Sequence, residues 1–427
     1  MTNQSIFQKR RKRFLEQLGG NAAIIPAAKM VTHHADCEFP FRQDSNFWYL
    51  TGFDEPDAIA LFLPYRPKGE QYILFVLPKD SSLEVWNGFR WGEQGALDNF
   101  QVDIAHSVVQ FQYLLADYLE GAEGISFRIG QFDYIEKLVL KTWADKLDKA
   151  SRKGSAPNSL FPPSLFLDHL RLRKDSWEID RMREAARITA EAHELARQIA
   201  FPGVKEKEVQ AEIEKYFLQK GARGPAYGSI VASGDNACIL HYTSNNSVLQ
   251  DGDLLLIDAG CSLYDYYNGD VTRTFPVNGS FTEEQRSLYE IVLAAQKMAI
   301  EQVVQGNDTE TVHLTAVRVL VEGLLQLGLL QGSIDELIES GDYSHLYMHR
   351  TGHWLGLDVH DVGAYRLGDY PVSLESGMVL TVEPGIYISD RLPVPEGQPL
   401  IDDKWKGIGI RIEDDVLVTK TKPEVLS

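Results

Sequence analysis

Cysteine is scarce in this chain: Cys37, Cys238 and Cys261 are the only three in 427 residues. They are odd in number and far apart, so they build neither a disulfide framework nor a C-x-x-C zinc site. A reducing cytoplasm is the expected setting. Long apolar runs are missing too, and no stretch approaches the roughly 20 residues of a membrane span. The basic opening MTNQSIFQKRRKRFLEQLGG has no apolar segment of signal-peptide length behind it. Its spacing of Ile6, Phe14, Leu15 and Leu18 predicts a short amphipathic helix; an organellar presequence fits less well. Positive charge is also in short supply. Forty-two Lys and Arg face 61 Asp and Glu, a net charge of −19, and no basic patch appears beyond QKRRKR. A nucleic-acid partner is therefore not expected, because a phosphate-binding surface needs such a patch.

What remains is the composition of a globular protein, 44% hydrophobic and 24% charged. The length exceeds one ordinary core, so two domains are expected. The segment SRKGSAPNSLFPPS, residues 151–164, concentrates Ser, Gly, Pro and basic residues and marks the boundary. The expected domains are 1–165 and 166–427. Before the boundary, β-like runs such as AIALFLP and QYILFVLP alternate with helical QFQYLLADYL, an α/β pattern. After it, apolar residues at 179, 182, 185, 188, 192, 195 and 199 predict an amphipathic helix. KEKEVQAEIEKYFLQKG predicts a second, stopped at Gly221. GSIVASGDNACILHY reads as two strands around a Gly-Asp-Asn turn. Thr282 and Gln285 form a capping box ahead of a third helix, and a fourth covers about 309–327. Strands return after residue 350. Helices over a mostly antiparallel sheet make this second domain α+β.

The histidines cluster. TGHWLGLDVHD, residues 351–361, holds His353 and His360, and His349 lies just before it. A lone histidine is usually structural, so the question is whether acids meet them. Four acids sit in apolar, strand-like surroundings: Asp258 ends LLLID, Asp270 opens DVTRTFPV, Glu383 follows VLTV, and Glu413 follows GIRI. Arg411 and Glu413 share one face of their strand by its two-residue period. Each acid alone reads as a turn or rim residue. Together they are costly to bury unless a cation pairs them. Four carboxylates and one imidazole form a hard, oxygen-rich set, suited to one or two divalent ions. Mn²⁺ is preferred, with Co²⁺, Fe²⁺ or Zn²⁺ as alternatives.

The segments ILHYT, LLLIDAG, NGDVTRTFPV, HRTGHWLGLDVHDVG, TVEPGIY and GIRIEDD resemble, in order, the metal-dependent members of the pita-bread fold. The resemblance is closest to aminopeptidase P (Xaa-Pro aminopeptidase), with prolidase and methionine aminopeptidase as relatives. Upstream, FRQDSNFWYLTGF is similar to the N-terminal domain of aminopeptidase P and prolidase. The resemblance implies a C-terminal pita-bread metallopeptidase domain behind an α/β domain, and five ligands for two metal ions. Asp258 would hold one ion, Asp270 and Glu413 would bridge the pair, and His353 and Glu383 would complete the other. It implies release of the N-terminal residue from peptides with proline second, by attack of a hydroxide shared between the metals. Glu383 would move the proton. His241 and His360 would hydrogen-bond the carbonyl oxygen, and His349 would face the leaving group. Arg411 would orient a ligand through an acid such as Asp36 or Asp44. Trp86 and Tyr387 are candidate pocket walls, with core packing as the alternative for each. Asp361 is expected to orient His360 or a nearby backbone turn. A homodimer or homotetramer is implied.

Two departures stand out. The Asp258–Asp270 interval is one residue longer than the family pattern, which would turn Asp270 away if it shifted strand register. HRTGH replaces the more familiar HG-x-x-H, putting Arg350 where glycine is expected. A prolidase acting on Xaa-Pro dipeptides is the alternative function. A non-catalytic peptide-binding protein is a remote one, since such relatives lose ligands. A creatinase-like, metal-free hydrolase conflicts with the full carboxylate set.

Overall fold

The computed structural model describes residues 4–153, 155–389, 391 and 393–427. The chain forms two compact units, Met1–Arg171 and Leu172–Ser427. They divide inside the helix Ser164–Leu172 that follows the proline-rich segment. No described helix is long and apolar enough to cross a membrane.

The N-terminal unit carries a six-stranded mixed sheet in the order Ile104–Ser107, Tyr72–Val76, Ile59–Phe62, Ala22–Pro26, Ile125–Ser126, Leu160–Phe161. Its central strands are buried along their whole length, which explains their unbroken apolar sequences. The predicted first helix spans Gln4–Leu18 and buries Ile6, Phe7, Phe14 and Leu18. Its basic run is partly structural. Arg11 is buried, donates to the Leu50 carbonyl at 3.0 Å and stacks over the Tyr72 ring. Arg10 lies over Tyr49.

In the C-terminal unit the strand pairs among the described residues are antiparallel, and with its helices this is the expected α+β layout. One sheet joins Ile230–Ser233, Leu254–Ala259 and Val271–Pro276. Alternate residues of its middle strand feed two cores. Leu255, Ile257 and Ala259 pack under the helices Ser176–Ile199 and Glu206–Gln219. Leu254 and Leu256 face Val292, Ala316 and Leu320 of the helices Glu283–Glu301 and Thr309–Gln326. The predicted capping box at Thr282 and Gln285 is present. One expectation fails. GSIVASGDNACILHY holds a single strand, Ile230–Ser233, and then a 3₁₀ turn, Gly234–Cys238. Non-local hydrogen bonds to this segment, described below, override its β-like composition.

The helix Ser176–Ile199 also buries a histidine. His193 is 3% exposed, and its Nε2 lies 3.0 Å from the Ala259 carbonyl. Burial, assisted by Arg273, pushes it down from 6.5 to about 4 against the pull of Ala259 and Asp258. The folded protein therefore holds it neutral where the unfolded chain would protonate it. Its stabilising contribution is complete above pH 6.5 and lost as pH falls towards 4, a change of roughly 3 kcal/mol. Guanidinium unfolding across this window should show a flatter pH dependence in His193→Gln than in the parent.

Candidate metal centre

Two backbone frameworks bring the predicted ligands together. In the first, strand register sets Asp258 opposite Thr272, and Glu413 bridges to the same Thr272. The Glu413 amide donates to the Thr272 carbonyl at 3.1 Å, and the Thr272 hydroxyl donates back to Glu413 Oε2. Asp270 precedes the strand Val271–Pro276, with its amide 3.1 Å from Asp415 Oδ2. In the second, the Thr381 amide donates to the His353 carbonyl at 2.9 Å, and the Glu383 amide to the Thr351 carbonyl at 2.7 Å. Glu383 and Pro384 link the strand Val379–Val382 to the next, Gly385–Ile388.

The side chains meet. His353 Nε2 lies 3.4 Å from Asp270 Oδ2 and 3.6 Å from Glu383 Oε1. Ligand atoms of Asp270, His353 and Glu413 all lie within 4.8 Å of one another. The longer Asp258–Asp270 interval therefore leaves Asp270 facing the cluster. Strand register is kept from Leu254 to Ala259, and the loop between the strands turns through Tyr266 (φ 68°).

Glycine permits these approaches. A Cβ on Gly260 would fall 1.8 Å from the Gly269 carbonyl oxygen, where the ends carrying Asp258 and Asp270 cross. A Cβ on Gly352 would fall 1.9 Å from the Thr381 carbonyl oxygen. That close contact gives the glycine of HRTGH its reason to stand at 352, next to His353. Gly260→Ala should separate Asp258 from Asp270. Its expected signature is metal retained per chain dropping well below that of the parent after dialysis, measured by elemental analysis.

The remaining candidates group around this core. His360 packs edge-on against His353, ring centroids 4.3 Å apart. Exposed His241 is close enough to act on His360 electrostatically. His349 Nδ1 is 3.8 Å from Glu383 Oε2, and its Nε2 is 2.8 Å from the Tyr387 hydroxyl. Tyr387 is fully buried. Its hydroxyl accepts from Arg411 Nη1 at 3.0 Å, so it links His349 to Arg411 and presents no open wall.

Two expected pairings differ in the structure. Arg411 pairs with Asp258, Nη2 to Oδ2 at 2.6 Å, and not with Asp36 or Asp44. Asp361 pairs with Lys174 at 3.0 Å, both side chains 1% exposed, a partner the sequence did not indicate. Trp86, on the helix Ser81–Asn87 of the N-terminal unit, is 85% exposed, so core packing does not explain it.

The pattern of metallopeptidase family M24 matches residues 180–420, and that of the aminopeptidase P N-terminal domain matches residues 7–126. An Xaa-Pro aminopeptidase of Haemophilus influenzae is 44% identical over 99% of this chain and 93% of its own length. The chain belongs to the Xaa-Pro aminopeptidases of metallopeptidase family M24. Solved relatives agree. The structure of Pseudomonas aeruginosa aminopeptidase PepP is 43% identical with a TM-score of 0.93, covering 99% of this chain and 94% of that one. Zinc-substituted Escherichia coli aminopeptidase P in complex with product is 42% identical with a TM-score of 0.92, at the same coverage.

The M24 side chains fit divalent metal on electrostatic grounds. Burial pushes Glu383 up to about 7, with His353 and Arg411 pulling against it. Burial and the neighbouring Asp270, Glu383 and Asp258 hold Glu413 well above the usual carboxylate range. Burial opposes charge on His353, but hydrogen bonding and attraction to Asp270, with help from Glu383, lift it to about 9. The cluster thus calls for positive charge at its centre, and its oxygen-rich donors suit hard divalent ions.

Sequence reasoning missed several supports. The Tyr227 hydroxyl lies 2.6 Å from Asp258 Oδ1 and also against Asp270 Oδ1, with one proton to offer between them. Thr381 Oγ1 accepts from the His353 amide at 3.1 Å. Thr272 ties Glu413 to Arg411, whose Nε donates to its hydroxyl at 3.1 Å. For Tyr227 nothing local in GPAYGS signals the role. For Thr381 the signal is a polar residue on an otherwise apolar strand; Thr272 shares its strand with Arg273 and Thr274 and does not stand out.

Proposed function

We propose that this M24 peptidase releases the N-terminal residue from peptides with proline in second position, Xaa-Pro-Yaa. Two divalent ions would be held by Asp258, Asp270, His353, Glu383 and Glu413. The carrying observation is the gathering of Asp270, His353 and Glu413 ligand atoms within 4.8 Å, with Glu383 against His353. The substrate class is supported by the H. influenzae relative, named for Xaa-Pro specificity. Mn²⁺ is the metal proposed, with Co²⁺, Fe²⁺ or Zn²⁺ as alternatives, since the donors are mainly carboxylate.

When bound, the ions would supply Lewis acidity and ease deprotonation of a water. The chain's own residues divide the remaining work. Glu383, against His353 in the proposed ligand set, takes a proton from the attacking water and delivers it to the proline nitrogen as the C–N bond breaks. His241 and His360 donate to the scissile carbonyl oxygen as it gains charge. His349, held by Tyr387, faces the leaving group. Arg411 holds Asp258, so that ligand keeps one orientation. The proline nitrogen carries no N–H, so recognition there rests on shape.

Exposed Val85, Trp86 and Phe89 support a homodimer or homotetramer that covers them. The free cysteines among the described residues support a cytoplasmic location. Prolidase is the alternative activity, since it would use the same ligands. Product analysis by mass spectrometry separates the two. Offered Xaa-Pro and Xaa-Pro-Yaa with Mn²⁺, the protein should release Xaa from the tripeptide. Cleavage of the dipeptide alone would make it a prolidase.

A further inference from the structure

His241 sits in the irregular segment between Cys238 and Leu249, where a strand was expected. A loop has no ladder to hold it, so its hydrogen bonds must come from elsewhere. Most converge on one carboxylate. Glu206, in the first turn of the helix Glu206–Gln219, is completely buried. Its Oε1 accepts from the Ser233 amide and hydroxyl, both at 2.8 Å, and from Asn236 Nδ2 at 3.0 Å. Its Oε2 accepts from the Tyr242 hydroxyl and the Ser247 amide, both at 2.8 Å. These donors bracket His241 on both sides, and Tyr242 is its immediate neighbour. The Glu206 amide also donates to the Ser247 carbonyl at 3.0 Å. A buried carboxylate is normally expensive. Five donors and the positive end of a helix dipole offset that cost. A second clamp acts beside it: buried Asn245 accepts from the Val231 amide and donates to Gln210 and Ser229.

We infer that Glu206 is a positioning residue for the reaction, acting through His241. It fixes the segment 236–247 so that His241 meets the scissile carbonyl oxygen without reorganising. This rests on the role given to His241 above. The carboxylate is specifically required. Glutamine in either orientation turns an NH₂ towards the Ser233 or Ser247 amide, and a donor facing a donor cannot bond.

The test is a double-mutant cycle with two further readouts. With Mn²⁺ restored, Glu206→Gln should lower kcat on an Xaa-Pro-Yaa tripeptide by about 10- to 100-fold, with little change in KM, as expected for a misplaced group. In a His241→Ala background the same substitution should cost no more than about twofold, because the group it positions is gone. Amide hydrogen exchange should rise across 236–247 and stay at the parent level across 254–259. Should Glu206→Gln not fold, Tyr242→Phe removes one donor and should show the same pattern with a smaller loss. Equal losses in both backgrounds would overturn the inference, as would an unchanged kcat or unchanged exchange in 236–247. A His241→Ala variant as active as the parent would overturn it as well. If the parent cleaves no Xaa-Pro-Yaa peptide, the activity reading fails by itself, and exchange still decides whether Glu206 holds the segment.

Discussion

Replacing Glu383 with glutamine is expected to lower kcat on an Xaa-Pro-Yaa tripeptide by about 10²- to 10⁴-fold, the range for a lost general acid–base. Glutamine keeps the volume and can still accept from Thr381 Oγ1, which lies 3.3 Å from Glu383 Oε1. It cannot take a proton. Without metal, burial raises this carboxyl to about 7 against the pull of His353 and Arg411, and bound metal would lower it. Glu383 is also a proposed ligand, so the variant should be assayed at saturating Mn²⁺ with bound metal counted. A metal-loaded variant within tenfold of the parent would remove Glu383 from the proton path.

Arg411→Ala should produce the largest loss of stability among the site substitutions. Arg411 is 4% exposed and holds Asp258 at 2.6 Å, with further bonds to Tyr387 and Thr272. Removing one member of such a pair leaves a charge buried among other carboxylates, at a cost of about 3–5 kcal/mol. In chelator-treated protein this should lower Tm by roughly 10 °C. Metal should recover part of the loss, because divalent charge beside Asp258 substitutes for the guanidinium. Arg411→Lys should fall between the two, since an ammonium cannot reproduce the planar fork. An equal loss with and without metal would mean that Arg411 serves the fold and not the ligand set.

These expectations start from residues that were legible in the sequence to different degrees. Asp258, Asp270, Glu383 and Glu413 stand out in the sequence because each lies in or beside a strand-like apolar run. The helices were legible through periodicity and caps, as at Thr282. The partner of Arg411 was not, because its pairing with Asp258 crosses 153 residues of sequence and depends on strand order. Lys174 and Asp361 show the same difficulty across 187 residues. The segment after Ser233 was misread for a related reason. Its local composition favours a strand, but the Glu206 carboxylate binds its amides and side chains from another element. Local propensity gives way where a buried charge collects the available donors.

Five side chains of the M24 domain are proposed to hold the metal that makes cleavage possible. The most direct test is to strip the protein with chelator, return Mn²⁺ stepwise, and count bound ions by elemental analysis while following release of Xaa from an Xaa-Pro-Yaa tripeptide. Two ions per chain in the parent, with cleavage absent from the stripped protein and rising as metal returns, is the predicted result. Cleavage by fully stripped protein, or a reloaded chain that binds no divalent ion, would contradict the account.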